Sequence, residues 1–196
     1  MRYCITGGIG AGKSYVCKRL EHHGIRIYDC DKGAKQLLHT SPTLRKAMIT
    51  LIGREAYKAD GTLNKPAVTR FLLASEENKQ RVNAIVHPAV MEDFHRSGLQ
   101  WMESAILYEA HLEHYVDKVI AVTAPAETRI RRIMQRDGIT HSMAKEWLDK
   151  QTDQSIVADK ADYVIVNDGI SNLDSQIEQL LSALAKAEKE DDSTNR

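Results

Sequence analysis

The sequence has no excess charge of either sign, because its 196 residues include 27 Lys and Arg and 27 Asp and Glu. A balanced chain lacks the bulk positive charge that attracts proteins to nucleic acid or to anionic membranes. It also lacks any apolar run near the roughly 20 residues that span a bilayer. We therefore expect neither a nucleic-acid partner nor a membrane partner, and any basic surface must be local.

Cysteine is also scarce. Cys4, Cys17 and Cys30 are odd in number and show no C-x-x-C spacing, which disfavours a disulfide framework or a structural zinc site. We expect buried thiols instead. The first apolar strand starts almost at Met1, and no charged-then-apolar leader precedes it. We therefore expect a cytoplasmic protein. We also expect a monomer or a weak homo-oligomer.

One glycine-rich segment carries the strongest signal in the chain. Residues 7–14 read G-x-x-x-x-G-K-S, follow an apolar strand at 3–6 and lead into a helix at about 14–22. In that context the pattern is a phosphate-binding loop, whose glycines let backbone N–H groups approach phosphate oxygens at a helix N-terminus. Lys13 would reach the β- and γ-phosphates, and the Ser14 hydroxyl would hold Mg²⁺. The alternative is a glycine-rich turn that binds nothing, which the strand, loop and helix in succession disfavour.

Strand-like apolar runs alternate with helical stretches, which predicts an α/β fold with a five-stranded parallel sheet and helices on both faces. The predicted strands cover residues 2–6, 24–28, 104–108, 118–123 and 162–166. Residues 32–100 contain no convincing strand and read as helices over 32–39, 42–52, 65–74, 76–86 and 88–98. We expect a single unit with a nucleotide-binding core at 1–31 and 101–185. The helical insertion at 32–100 would bind a second substrate or, alternatively, be only structural.

A second helical region, 126–155, contains predicted helices at 126–137 and 142–151. Arg129, Arg132 and Arg136 fall on one face of the first of these helices. Such a face is commonly solvated, but next to a phosphate loop it favours a lid that closes over phosphates. The last helix is predicted at 171–188, and the polar tail 189–196 is predicted to be frayed.

Candidate acids and polar groups follow the predicted strands. Asp29 and Asp31 would share one side of an extended segment, where a carboxylate could accept a proton from a hydroxyl, or Asp31 could instead cap the next helix. Glu109 is expected to end the third strand and could contact Mg²⁺ through water, contact a polar group of a substrate, or cap a short helix. Asn167 and Gly169 follow the fifth strand, where a loop could present backbone groups to an adenine or be an ordinary turn.

The motifs taken together resemble the dephospho-coenzyme A kinase family. The resemblance rests on residues 6–14 (TGGIGAGKS), 29–31 (DCD), 60–63 (DGTL), 84–88 (AIVHP), 106–109 (ILYE), 132–137 (RIMQRD), Gln151 and 161–169 (ADYVIVNDG). These segments run in the family's order from residue 6 to residue 169. Guanine-specific N-K-x-D is missing, so a GTP-binding switch is disfavoured.

This resemblance implies a P-loop kinase fold with ATP and dephospho-coenzyme A as substrates and Mg²⁺ as cofactor. The reaction would phosphorylate the ribose 3′-hydroxyl, with Asp31 as general base and Lys13, Arg132 and Arg136 stabilising the transferred group. ATP would contact Gly8, Gly10, Ala11, Gly12, Lys13, Ser14, Tyr15, Asn167 and Gly169. The acceptor would contact Asp29, Asp31, Lys65, His87, Tyr108 and Glu109.

Three positions depart from the family pattern. Tyr15 stands where Thr is frequent, Lys65 where Arg is common, and Arg129 where Gln is frequent. None of them removes a residue that the chemistry requires. Two other functions stay open on sequence alone, namely a kinase for another small alcohol or nucleotide and a non-catalytic ATP-binding module.

Overall fold

The described residues form one five-stranded sheet. The computed structural model describes residues 1–194, with the side chains of residues 1–190. The strands are β1 (Tyr3–Thr6), β2 (Ile27–Asp29), β3 (Trp101–Glu103), β4 (Lys118–Thr123) and β5 (Tyr163–Val166), in the order β2-β3-β1-β4-β5. The pairings of β1 with β3 and β4, and of β4 with β5, are parallel. The predicted α/β class with a five-stranded parallel sheet is confirmed.

The helices are α1 (Lys13–His22), α2 (Cys30–Thr40), α3 (Pro42–Ile52), α4 (Lys65–Ala74), α5 (Glu76–Arg96), α6 (Ala126–Asp137), α7 (His141–Asp149), α8 (Gln154–Lys160) and α9 (Leu173–Thr194). The chain divides into two compact units, one of Met1–Ile27 with Gln100–Arg196 and the other of Tyr28–Leu99. We call them the sheet unit and the insertion unit.

The core of the sheet unit lies under α1 and α9. β1 is buried along its whole length, and Ile5 packs with Val16 and Leu20 of α1 and with Ile177 of α9. Tyr3 stacks on Trp101 with ring centroids 4.5 Å apart. The register pairs Thr6 with Ala121, so the segments that follow β1 and β4 emerge at the same edge of the sheet. Ligands of open α/β sheets bind at this carboxyl edge.

The insertion unit packs its helices around α5. Phe94 and Met91 of α5 are buried, as is Met48 of α3, and α5 contacts α2, α3 and α4. Ser75 caps α5 by accepting from the Asn78 N–H, and Ser41 caps α3 in the same way through Leu44, as the sequence predicts. These caps fix where the helices begin.

The prediction that α5 breaks before Pro88 is wrong, since one helix runs from Glu76 to Arg96. A proline inside a helix removes a hydrogen bond and costs about 3 kcal/mol. Buried residues lie on both sides of it, Val82 and Val86 before and Val90 and Phe94 after, and they continue one apolar face. Packing of that face outweighs the cost of the proline. A local sequence pattern does not reveal this packing.

The third strand is also misplaced by the sequence pattern, because it covers Trp101–Glu103 rather than 104–108. The Ser104 N–H still donates to the Ile5 carbonyl, at 3.0 Å, and the chain then turns. Leu107 is fully buried within these turns, and its carbonyl accepts from the Leu112 N–H. Leu107 of this apolar run is therefore buried without strand pairing, whereas Ile106 is 41% exposed.

Two further boundaries differ from expectation. A short helix that the sequence analysis did not predict, α8, is capped by Asp153, whose carboxylate accepts from the Ser155 N–H. The predicted frayed tail is helical as far as Thr194 in α9, and its last two residues lie outside the described residues. The Tyr3 hydroxyl contacts Glu188, which anchors this late part of α9 on the sheet unit.

The packing of α1 predicts a large and position-specific effect of one truncation. Leu20→Ala, at a fully buried site, is expected to lower the free energy of unfolding by about 3 kcal/mol. The same change at Leu73, which is 81% exposed, is expected to alter it by no more than about 0.5 kcal/mol. Urea denaturation of both variants measures the difference, and equal effects would contradict this description of the core.

Candidate active site

The phosphate loop joins β1 to α1, and its shape depends on backbone approach. Gly12 is the N-cap of α1, with a φ of 93° in the left-handed region. A Cβ added there would lie 2.1 Å from Asn167 Nδ2. Position 12 therefore requires glycine for two reasons, the positive φ and the close approach of the Asn167 side chain.

The side chains of the loop's last residues divide between its interior and its surface. The Lys13 ammonium donates to the Gly7 carbonyl at 3.0 Å, which links the two ends of the loop. The same ammonium is the group expected to reach a phosphate. Ser14 is exposed in the first turn of α1. Tyr15 is 49% exposed, and its hydroxyl accepts from Arg19 at 2.7 Å. The Tyr15 side chain thus belongs to a surface contact of α1.

Two predicted site residues bond directly to the middle of the loop. Arg132 Nη1 donates to the carbonyls of Gly10 and Ala11, at 3.3 and 3.2 Å. Asn167, buried at the end of β5, donates from Nδ2 to the Ala11 carbonyl at 2.9 Å. Arg132 Nη2 also donates to Asn167 Oδ1 at 3.4 Å, so Arg132, Asn167 and the Ala11 carbonyl all contact one another. The structure thus brings the loop, Arg132 and Asn167 together.

Arg136 has a different environment from Arg132. It is exposed at the end of α6 and donates three bonds of 2.7–3.1 Å to the carboxylate of Asp137. This contact raises the pKa of Arg136 and lowers that of Asp137. Since Asp137 satisfies the guanidinium, Arg136 would have to exchange a carboxylate for a phosphate in order to act on a nucleotide.

Arg129 and Gln151 contact the loop more closely than the sequence indicated. Arg129 is 5% exposed, and its Nε donates to the Ile9 carbonyl at 2.9 Å. The Ile9 N–H donates to Gln151 Oε1 at 2.7 Å. The sequence singles out Arg129 as one of three arginines on a helix face and as a departure from the family pattern, and Gln151 only as part of the resemblance. The helical period was the available signal, but it could not identify which arginine is buried.

The loop after β5 is held by Asp168. Its carboxylate accepts from the N–H groups of Ile170 and Ser171, both at 2.8 Å, and these bonds lower its pKa. Gly169 lies in this turn with a φ of 86° and open space around it. Asn167 and Gly169 therefore lie in the same segment after β5, and Asn167 bonds the phosphate loop.

Tyr108 and Glu109 do not follow a strand, because β3 ends at Glu103. The Tyr108 ring lies under Lys160, whose Nζ is 5.5 Å from the ring centroid, and its buried hydroxyl has no hydrogen-bond partner among the described residues. Burial raises its pKa to about 12. Glu109 is exposed in the turns. The carboxylate at the carboxyl end of the strand beside β1 is that of Glu103, whose partner in register is Ile5.

The other expected site residues belong to the insertion unit. Asp29 caps α2 by accepting from the Lys32 N–H at 2.8 Å, so the capping role considered for Asp31 belongs to Asp29. Asp31 is exposed in the first turn of α2, and Lys65 is exposed at the start of α4. His87 is half-buried in α5, and this burial lowers its pKa.

The described residues offer no metal cluster of their own. Within residues 1–190, no group of three or more His, Cys, Asp or Glu side chains is placed to hold an ion. The expected magnesium contact, Ser14, is an exposed hydroxyl at a helix N-terminus. Across the described chain, no helix combines the length and the apolar character that crossing a bilayer requires.

Comparison with known proteins gives a consistent set of relatives. A family model described as dephospho-CoA kinase matches residues 2–172. A dephospho-CoA kinase of Bacteroides fragilis is 37% identical over 187 residues, which cover 92% of this chain and 91% of that protein. The crystal structure of a Thermus thermophilus protein has a TM-score of 0.76 at 26% identity, covering 95% and 97% of the two chains. A dephospho-CoA kinase structure from Campylobacter jejuni has a TM-score of 0.66 at 20% identity, covering 95% and 98%, and supports the fold.

The Gly12 geometry predicts a specific loss of nucleotide binding. Gly12→Ala and Gly24→Ala both place a side chain at a positive φ, which costs about 1–2 kcal/mol of stability. Only Gly12→Ala also displaces Asn167, because the space around Gly24 is open. We expect ATP affinity to fall about tenfold or more in Gly12→Ala, through the lost hydrogen bonds, and to be retained in Gly24→Ala. Calorimetric titration with ATP compares the two, and equal affinities would contradict the prediction.

Proposed function

Because the chain belongs to the dephospho-CoA kinase family, we propose that it transfers the γ-phosphoryl group of ATP to the ribose 3′-hydroxyl of dephospho-CoA. The products are coenzyme A and ADP, and the reaction is the last step of coenzyme A biosynthesis. The observation that supports this most directly is the phosphate loop at residues 7–14 with Arg132 and Asn167 bonded to its carbonyls, inside the matched region.

Cations near the loop would stabilise the charge of the transferred group. Phosphoryl transfer involves little covalent chemistry by the protein, so catalysis depends on positioning and electrostatic stabilisation. Arg132 now donates to two neutral carbonyls at 3.2–3.3 Å, and phosphate oxygens are stronger acceptors for a guanidinium. We therefore assign Lys13 and Arg132 to the β- and γ-phosphates, with Arg136 joining them after release from Asp137.

Asp31 is the proposed general base. A carboxylate that accepts the proton of the attacking hydroxyl also orients its oxygen toward the phosphorus. Asp29 already accepts the capping bond of α2, whereas Asp31 is exposed in the first turn with its carboxylate outside that cap. Asp29, Lys65 and His87 are the proposed acceptor-binding residues of the insertion unit. We assign no step to Tyr108 or Glu109.

Mg²⁺ is the proposed cofactor. The chain offers few oxygen ligands for it, which suits an ion that binds together with the nucleotide. Mg²⁺ in such sites keeps several waters and is bound through phosphate oxygens and one or two protein oxygens. The exposed Ser14 hydroxyl is one such donor, and Glu103 is the acid that β3 carries to the same edge of the sheet. The ion would neutralise charge on the β- and γ-phosphates. Ser14 would bind it directly, and Glu103 would orient its water.

Measurement of ADP release from Mg·ATP, with and without dephospho-CoA, tests the proposed function. We expect ADP formation to depend strongly on the acceptor and the product mass to increase by one phosphate. Slow ADP release that does not depend on the acceptor would contradict the assignment. In that case, a panel of other small hydroxyl compounds would identify the acceptor.

Asp31→Asn tests the general base. We expect kcat to fall by about 10²–10⁴, the usual contribution of a general base, while the dissociation constant of ATP stays close to the native value. Asp159→Asn is the control, since it removes the same charge from an exposed position of α8 that has no part in the proposed site. Equal losses in the two variants, or a parallel loss of ATP binding in Asp31→Asn, would contradict the assignment.

A further inference from the structure

Both backbone polar groups of Ile9 are bonded to side chains of the lid segment, residues 126–155. The Ile9 carbonyl accepts from Arg129 Nε, and the Ile9 N–H donates to Gln151 Oε1. Arg129 Nη2 also lies 3.3 Å from Gln151 Oε1, so the two side chains contact each other. The Ile9 side chain packs against the apolar cluster of Ile130 and Ile133. One loop residue is thus fixed by its carbonyl, its amide and its side chain.

The loop backbone packs directly on Arg129. A Cβ added to Gly8 would lie 2.2 Å from Arg129 Nη2, and one added to Gly10 would lie 2.7 Å from the Arg129 carbonyl oxygen. The first half of the phosphate loop therefore follows the surface of Arg129. A different side chain at 129 would leave this half of the loop without its support.

Among the described residues, no carboxylate contacts the positive charge of Arg129. In the part of the chain that the structure describes, Arg129 forms no ion pair, and its hydrogen bonds go to a carbonyl and an amide oxygen. Asp153 acts on it electrostatically but is exposed. Burial lowers the pKa of Arg129, although a guanidinium remains protonated in proteins. A buried cation without an anionic partner is unfavourable until an anion arrives.

We propose that Arg129 is a positioning residue for ATP: together with Gln151 it fixes the phosphate loop through Ile9, and its uncompensated charge favours binding of the nucleotide's polyphosphate. This inference rests on the proposed function in that the bound anion is ATP. It assigns a role to Arg129, which is one of the three positions that depart from the family pattern described above. It also means that Arg129 and Gln151 of the lid segment move together with the first half of the loop.

Two substitutions separate loop support from charge. Arg129→Met removes both, while keeping an unbranched side chain in the buried space. Gln151→Glu keeps an acceptor for the Ile9 N–H but places a carboxylate against Arg129 and cancels its charge. Arg131→Met is the matched control, because Arg131 is exposed on the same helix. Each purified full-length variant is titrated with ATP and with adenosine in the absence of any acceptor, so a failed kinase assay would not affect the result.

We expect ATP to bind about tenfold or more weakly to Arg129→Met and to Gln151→Glu, whereas Arg131→Met binds it like the native protein. Adenosine, which has no phosphate, should bind all four proteins with the same affinity. The proposal is overturned if Gln151→Glu binds ATP as tightly as the native protein, or if adenosine affinity falls as much as ATP affinity. Should Arg129→Met fail to fold, Gln151→Glu and Arg129→Lys carry the test, and Arg129→Lys is expected to retain more ATP affinity than Gln151→Glu.

Discussion

A phosphate loop must present its backbone to an anion, and this constraint governs the surrounding structure. A loop rich in glycine has few side chains with which to stabilise its own conformation, and its flexibility makes ordering costly. Here the stabilising groups come from other elements, because Arg132 and Asn167 bond the Ala11 carbonyl and Arg129 bonds the Ile9 carbonyl. The loop carbonyls are thus bonded by groups from outside the loop, and so is the Ile9 N–H, which donates to Gln151.

The elements that supply these groups are placed by the sheet. Because β1, β4 and β5 are parallel and in register, the loop after β1, the helix after β4 and the turn after β5 all start at one edge. Two glutamines strengthen that edge. Gln154 bonds the N–H and carbonyl of Ala124, and Gln176 bonds those of Val166, one residue before Asn167. These paired bonds hold the segment after β4 and the end of β5, which is the edge strand, in position.

The sequence predicted the parts of this arrangement that have a local cause. Glycine spacing, strand-like alternation and capping serines identified the loop, four of the five strands and the starts of α3 and α5. It misplaced β3 and divided α5 because both depend on burial by distant residues, at Leu107 in one case and on both sides of Pro88 in the other. Residue type alone could not distinguish a strand paired to β1 from turns that bury Leu107 and leave Ile106 exposed. For the same reason it placed Glu109 at the end of the third strand, a position that Glu103 occupies.

The three arginines of α6 show most clearly what helical periodicity can and cannot predict. The period places Arg129, Arg132 and Arg136 on one face, yet each has a different electrostatic environment. Arg136 is neutralised by an adjacent carboxylate, Arg132 bonds neutral carbonyls, and Arg129 is buried against the loop. The cost of moving each guanidinium to a phosphate differs accordingly, since Arg136 must give up an ion pair whereas Arg132 gives up only weaker bonds. Arg129 has no need to move, because its charge already lies beneath the loop, so the three residues would respond to ATP in distinct ways despite their shared face.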